Sequence, residues 1–184
     1  MAAPQRRWAA ELLHFWFHAL QPRAWFAPDP RIDTLLRCRF ARELRSLRLR
    51  PAEEFLTDPR TALAAVLLFD QLPRNLHRGT PRAFATDPLA RALSRGAVRR
   101  GWDLRLTPQQ RHFLAMPLMH SEHIADQRLS LAYFTRLGRR YGAPFARAHY
   151  LVIARFGRFP HRNAVLGRRS TAAELEAVAA GSRW

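Results

Sequence analysis

The stretch DPRTALAAVLLFD, residues 58–70, decides the fold class of this chain. An aspartate before a proline is a typical helix start: the Asp58 side chain can accept from unpaired backbone N–H groups, and Pro59 has no N–H to leave unpaired. The residues from Ala62 to Phe69 are apolar on every side of a helix. They predict a helix at the centre of a bundle, which is expected to end before Pro73 because proline cannot continue it.

Similar start and stop signals recur along the chain, and the segments between them have helical periodicity. They are the pairs Asp29-Pro30, Asp87-Pro88 and Thr107-Pro108, the capping boxes Thr107/Gln110 and Thr171/Glu174, the apolar stripe Leu36, Phe40, Leu44 and Leu47, and two glycines in C-cap positions, Gly101 and Gly142. No segment shows the sustained alternation of a strand. The sequence therefore predicts an all-α fold.

The Asp-Pro pairs at 29, 58 and 87 lie at equal intervals. A period of this length is typical of stacked helical pairs, although Asp-Pro is also a common helix start without any repeat. A chain of 184 residues suits one domain. We expect residues 1–184 to form a single compact all-helical domain.

The chain is strongly basic, with 31 Lys+Arg, all of them arginine, against 14 Asp+Glu, and a formal net charge of +17. The charge is spread along the chain, whereas a nucleic-acid-binding tail would concentrate it in one block. Cys38 is the only cysteine, which excludes a disulfide scaffold. No apolar run approaches the ~20 residues of a membrane span. With no recognisable signal peptide, a cytoplasmic protein without membrane contact is expected.

Three segments carry more polar residues than helix capping requires. The first, residues 70–84, directly follows the most apolar helix, so Asp70 and Gln71 are expected near the core. The second covers residues 117–127 and the third residues 155–168. Dense polar groups beside a buried helix are typical either of a binding site or of a network that joins helices.

These segments closely resemble the bacterial domain-of-unknown-function family 924. The resemblance lies in DQLPRN at 70–75, RGTPRAFATDPLA at 78–90, HSEHIADQ at 120–127 and RFGRFPHRNAVLGRRST at 155–171. It covers nearly the whole chain and implies a tetratricopeptide-like fold of stacked antiparallel helical hairpins, without implying an activity. His123 and Arg169 stand where the family commonly has acids.

The charges within the three segments suggest a site for a small anion. Six arginines, at 74, 78, 82, 155, 158 and 162, stand against four acids, at 70, 87, 122 and 126, which leaves a surplus of two positive charges. Such a surplus in a cleft would favour a carboxylate or phosphate. The predicted ligand-binding residues are Asp70, Gln71, Arg74, Asn75, Arg78, Gln127, Arg155, Arg158, Arg162 and Asn163. The predicted acid–base residues are His120, His161, Glu122 and Asp126.

Several alternatives remain open at this stage. The same polar residues could simply hold helical hairpins together. If residues 120–127 are helical, His120 and His123 share a face with Gln127 and could bind a metal beside Glu122 or Asp126, but the spacing matches no established zinc pattern and we predict no metal or cofactor. A protein or peptide could dock on exposed rings at Trp8, Trp25 or Trp102. Nucleic acid could bind an arginine stripe, although no recognition motif is present: Arg39, Arg42, Arg45 and Arg48.

Overall fold

The segment that follows Asp58 lies at the centre of the molecule, as predicted. In the computed structural model, which describes residues 6–181, the Asp58 carboxylate accepts from the backbone N–H groups of Arg60 and Thr61 and starts a helix. All side chains from Thr61 to Pro73 are buried. This helix is therefore the one around which the others pack.

The remaining helices follow in chain order, most of them joined by short 3-10 or π-helical turns, and no strand occurs between residues 6 and 181. The α-helices are α1 (Arg7–His14), α2 (Pro30–Leu47), α3 (Pro59–Val66), α4 (Leu72–Leu76), α5 (Asp87–Arg99), α6 (Pro108–Met119), α7 (Ile124–Leu137), α8 (Ala143–Phe156) and α9 (Ala172–Ala179). Helix α1 continues into a π-helical turn, Phe15–Ala19, and α3 into another, Leu67–Gln71. The 3-10 turns are Pro22–Trp25, Ala52–Phe55, Pro81–Phe84, Trp102–Arg105, Arg139–Tyr141 and Pro160–Arg162.

Consecutive helices from α5 to α8 pack on one another, and both α1 and α5 pack on α3. The result is the all-α, tetratricopeptide-like stack of antiparallel hairpins that the sequence predicts. The main core holds most of the largest side chains, among them Trp16, Phe40, Phe69, Phe113 and Phe134, and a second, smaller cluster surrounds Phe159. Each large apolar side chain buried here stabilises the fold by about 1.5–3 kcal/mol. Within residues 6–181, no helix has the length and apolar content needed to span a membrane.

Most predicted helix ends are confirmed, and two are wrong. Asp29 caps α2, and the capping boxes of Thr107 and Thr171 start α6 and α9. Asp87, however, occupies the first turn of α5 without capping it, because its carboxylate binds Arg74 instead. Left-handed glycines end helical segments as expected, Gly101 after α5 and Gly142 after the turn Arg139–Tyr141.

The expectation that the central helix ends before Pro73 is wrong. The chain passes through the π-helical turn and continues as α4, with Pro73 in its first turn. Pro73 has no N–H to give to the carbonyl of Phe69, four residues earlier. The Thr86 hydroxyl donates to that carbonyl instead, at 2.6 Å. Two further backbone carbonyls of the turn also accept hydrogen bonds from side chains. Arg74 Nη1 donates to the Asp70 carbonyl at 2.6 Å, and Asn75 Nδ2 donates to the Gln71 carbonyl at 3.0 Å.

Candidate functional site

The second polar segment is not continuously helical, so the predicted shared face of His120, His123 and Gln127 is wrong. Helix α6 ends at Met119, His120 caps it, and α7 begins only at Ile124. The Gln127 amide donates to the carbonyls of Met119 and Ser121, at 2.7 and 2.6 Å, which holds the connecting loop closed. This loop places His120 beside the π-helical turn of the first polar segment.

A buried carboxylate and an imidazole meet at that point. His120 Nδ1–H donates to Asp70 Oδ1 at 2.8 Å, while Gln71 Nε2 donates to the other carboxylate oxygen. Burial would raise the pKa of Asp70, but the charge of Arg74, 3.3 Å away, and the contact with His120 outweigh it and hold this pKa far below its usual value. Asp70 is therefore an acceptor only, and the proton on the shared contact belongs to His120 Nδ1.

His120 is neutral near pH 7. Burial lowers its pKa, and the positive charges of Arg74 and Arg162 lower it further, against the opposing effect of Asp70. With its proton fixed on Nδ1, the ring keeps a lone pair on Nε2. The side chain remains 13% exposed, so solvent reaches the ring.

Two arginines lie next to this Asp70–His120 pair, and they are paired unequally. Arg74 binds Asp87 through two parallel hydrogen bonds of 2.9 and 3.0 Å. Arg162 reaches Asp87 only at 3.6 Å, and its Nε has no hydrogen-bond partner among residues 6–181. Its guanidinium lies over the rings of Phe84 and Phe159, 4.7 and 4.4 Å from their centroids.

The environment of Arg162 disfavours the charged form of its guanidinium. Burial and the neighbouring charge of Arg74 lower the pKa of Arg162 to about 10, although Asp87 and Asp70 oppose this effect. Two carboxylates and two guanidiniums meet here, so the predicted surplus of positive charge is not present at this point. Of the two guanidiniums, that of Arg162 is the one left incompletely paired.

Two more histidines lie on the same side of the molecule. The ring of His149, from α8, is 6.5 Å from that of His120, and its Nδ1–H donates to the Phe145 carbonyl at 2.8 Å. Burial lowers the pKa of His149 to about 3. His161 packs on Phe159, and burial together with the charge of Arg162 lowers its pKa to about 4. Sequence reasoning included His161 but missed His149, whose only signal was a histidine on the buried face of α8.

The other two predicted acid–base residues bind partners away from His120. Glu122 accepts from the Phe159 backbone N–H at 2.7 Å and from Arg168 at 2.7 and 2.9 Å, and so ties the loop to the third polar segment. Asp126 is buried, accepts from Ser121 Oγ at 2.8 Å and forms an ion pair with Arg95. Both carboxylates therefore hold the loop in place.

The other predicted anion ligands have partners of their own. Arg78 binds Asp33 through two hydrogen bonds of 3.0 Å, and Arg158 binds Glu174 at 2.6 and 2.9 Å. Arg155 is exposed and lies over a neighbouring ring. The amide side chains make local bonds: Asn75 Oδ1 accepts from Arg78, and Asn163 Nδ2 donates to Ser170 Oγ.

The structure also locates the residues on which the metal, peptide and nucleic-acid alternatives depended. His123 is exposed, and residues 6–181 contain no group of three or more His, Cys, Asp or Glu side chains arranged to hold a metal ion. Trp8, Trp25 and Trp102 were expected to be exposed, but all three are half-buried and packed against the core. The arginine stripe is solvent-facing as expected: Arg39, Arg42, Arg45 and Arg48.

Comparison with known proteins assigns the family. The family described as bacterial protein of unknown function (DUF924) matches residues 12–182. The chain belongs to DUF924. This DUF924 chain is similar to a solved structure of a protein of unknown function from Agrobacterium tumefaciens. The sequence identity is 38% and the TM-score 0.87, over 92% of this chain and 96% of that chain. Among curated proteins, none matches. The three polar segments thus lie within the DUF924 region of the chain.

Proposed function

We propose that Asp70, His120 and Arg162 form a site that binds a small carboxylate or phosphate and transfers a proton to or from it. The observation that carries this proposal is the contact between the buried Asp70 carboxylate and His120 Nδ1, at 2.8 Å. A buried carboxylate that fixes the tautomer of an imidazole is a recurrent arrangement for proton transfer. DUF924 membership supplies no reaction, so the proposal rests on these side chains.

His120 serves as the base in this proposal. Its lowered pKa keeps the ring neutral at pH 7, so Nε2 is ready to accept a proton without first losing one. Asp70 orients the ring and stabilises the imidazolium that forms when Nε2 takes the proton. The two chemical roles open to such a pair are removal of a proton from a bound substrate and activation of a water molecule.

Arg162 serves as the anion ligand. The side chain is only 8% exposed, and Asp87, the carboxylate with which it forms an ion pair, is already held by two bonds from Arg74. An anionic ligand that accepts from the unpaired Nε would form a charge-assisted hydrogen bond of about 1.5–3 kcal/mol. The aromatic rings of Phe84 and Phe159 pack on the planar guanidinium and hold its orientation for such a contact.

A thermal-shift experiment at 0.15 M salt tests the proposal with acetate, succinate and inorganic phosphate as probes. A ligand at a hundred times its Kd stabilises the fold by about 2.7 kcal/mol, which raises the Tm of a chain of this size by roughly 5–10 °C. Arg162→Met keeps the apolar stem between the two rings and removes the charge. His120→Asn keeps a donor for Asp70 and removes Nε2.

The expected result is a shift by one anion class that Arg162→Met abolishes. His120→Asn should bind that anion with at most a small loss but no longer take up a proton on binding, as measured by calorimetry in buffers of different ionisation enthalpy. Arg78→Met is the matched control, because it removes a charge held by Asp33 away from His120. No shift with any probe, or an equal loss in Arg78→Met, would refute the proposal.

A further inference from the structure

A groove unconnected with the Asp70–His120 pair runs between α5 and α7, over the end of α6. It consists of two adjoining cavities of about 380 and 290 Å³ that share Arg95 as a lining residue. We call it the α5–α7 groove. Leu118 of α6 lines the second cavity from below, and Leu129 and Tyr133 line it from α7.

The charge of the α5–α7 groove is one-sided. Arg91, Arg95 and Arg99 recur every four residues along α5, so they share one face of that helix, and Arg136 faces them from α7. Among the described lining residues, the single carboxylate is Asp126, which accepts from Ser121 and pairs with both Arg91 and Arg95. Four guanidiniums against one satisfied carboxylate leave the groove positive.

A second carboxylate near the groove is also engaged. Asp103 is buried, accepts from the Tyr133 hydroxyl at 3.2 Å and lies 3.7 Å from Arg111. The Tyr133 hydroxyl therefore points toward Asp103, and its ring is left as an apolar wall. Asp126 pairs with Arg91 and Arg95, and Asp103 pairs with Arg111, so neither carboxylate pairs with Arg99 or Arg136.

The surface between these charges is apolar. Leu129 is 50% exposed and lies between the arginines of α5 and Arg136. Leu129, Ala132, Tyr133 and Arg136 follow one another at the spacing of a helix face. An occupant of the groove must therefore present apolar side chains to Leu129 and Tyr133 and negative charges to the arginines at its edges.

We infer that the α5–α7 groove binds an acidic amphipathic helix of a partner protein. A helix with leucine-like residues on one face and Asp or Glu beside them supplies both contacts at once. A nucleic-acid backbone would satisfy the arginines but leave Leu129 uncovered, so charge alone does not describe the groove. Helix-in-groove recognition of this kind is independent of any chemistry at His120.

The test is a selection on the full-length protein from a displayed library of helical 18-residue peptides with randomised surface positions. The expected winners carry Asp or Glu flanking an apolar i, i+3, i+4, i+7 stripe. Measured by fluorescence anisotropy at 0.15 M salt, their Kd should rise at least about tenfold for Arg99→Glu and for Leu129→Glu.

Two exposed positions outside the groove give matched controls, Arg42→Glu on α2 and Leu175→Glu on α9. Each should leave the Kd within about twofold. Winners without acidic residues, or a loss in Arg42→Glu as large as in Arg99→Glu, would overturn the inference. The inference would also be overturned if a single-stranded oligonucleotide displaced the peptide and its affinity fell steeply with salt concentration. That outcome would assign the groove to nucleic acid.

Discussion

Replacing Asp70 by Asn tests how firmly the buried carboxylate holds its neighbours. Asp70 is completely buried and accepts from His120 Nδ1 and Gln71 Nε2, with Arg74 3.3 Å away. An asparagine has the same shape but only one acceptor oxygen, and its NH₂ group would face one of the donors. The substitution therefore removes a negative charge and one acceptor from a completely buried position.

The expected loss of stability depends on which ion-pair partners of Arg74 remain after the substitution. Removing one partner of a buried ion pair costs about 3–5 kcal/mol. Because Asp87 still binds Arg74 through two hydrogen bonds, we expect the lower end, about 3 kcal/mol. For a chain of this size, that loss corresponds to a decrease in Tm of roughly 6–12 °C.

The assay is urea denaturation followed by circular dichroism at pH 7. The folded-state pKa of Asp70 lies below its unfolded value, so its contribution is fully present at pH 7 and disappears only as the pH falls below about 4. The matched control is Asp33→Asn, which breaks a surface pair with Arg78 and should cost under about 1 kcal/mol. If Asp70→Asn cost no more than Asp33→Asn, the buried Asp70–His120 contact would not hold the fold as described.

Three further predictions concern other parts of the structure. Thr86→Val should lower the free energy of unfolding by about 1–3 kcal/mol, measured by urea denaturation, because it leaves the buried Phe69 carbonyl without a donor; an unchanged value would show that water replaces the hydroxyl. Folding lowers the pKa values of His149 and His161 to about 3 and 4. The free energy of unfolding should therefore decrease as the pH drops below about 6.5, by about 1.4 kcal/mol per pH unit for each histidine. His149→Phe should reduce that slope, and an identical slope would contradict the lowered pKa of His149. Glu174→Gln should speed amide hydrogen exchange in α9 and leave α3 unchanged, because Glu174 joins Arg158 to the start of α9; equal effects in both helices would refute this local role.

The sequence predicted those parts of the fold that depend on neighbouring residues. Asp58 starts the central helix, and Thr107 starts α6, because a cap needs only the next few backbone N–H groups. The continuation of the chain through Pro73 could not be predicted in this way. It depends on the hydroxyl of Thr86, which reaches back to the Phe69 carbonyl from the start of the next hairpin.

The sequence identified the residues of the candidate site but not which of them contact one another. Both Asp70 and His120 were identified from the polar segments, yet 50 residues separate them, and only the fold brings their side chains together. The loop that positions His120 interrupts what reads as a continuous helix, because Gln127 and Ser121 satisfy the backbone there. Charge counting also failed locally, since several of the arginines bind carboxylates on other elements.

The protonation state of His120 tests most directly the proposal that this residue is the base of the site. Nitrogen-15 NMR of the histidine rings at pH 7, with His120→Asn to assign the signal, reports which ring nitrogen carries a proton. We predict a neutral ring protonated on Nδ1, with a pKa below the ordinary value of about 6.5 and a change of tautomer population in Asp70→Asn. A ring that is charged at pH 7, or that carries its proton on Nε2, would contradict the proposal that His120 is the base of this site.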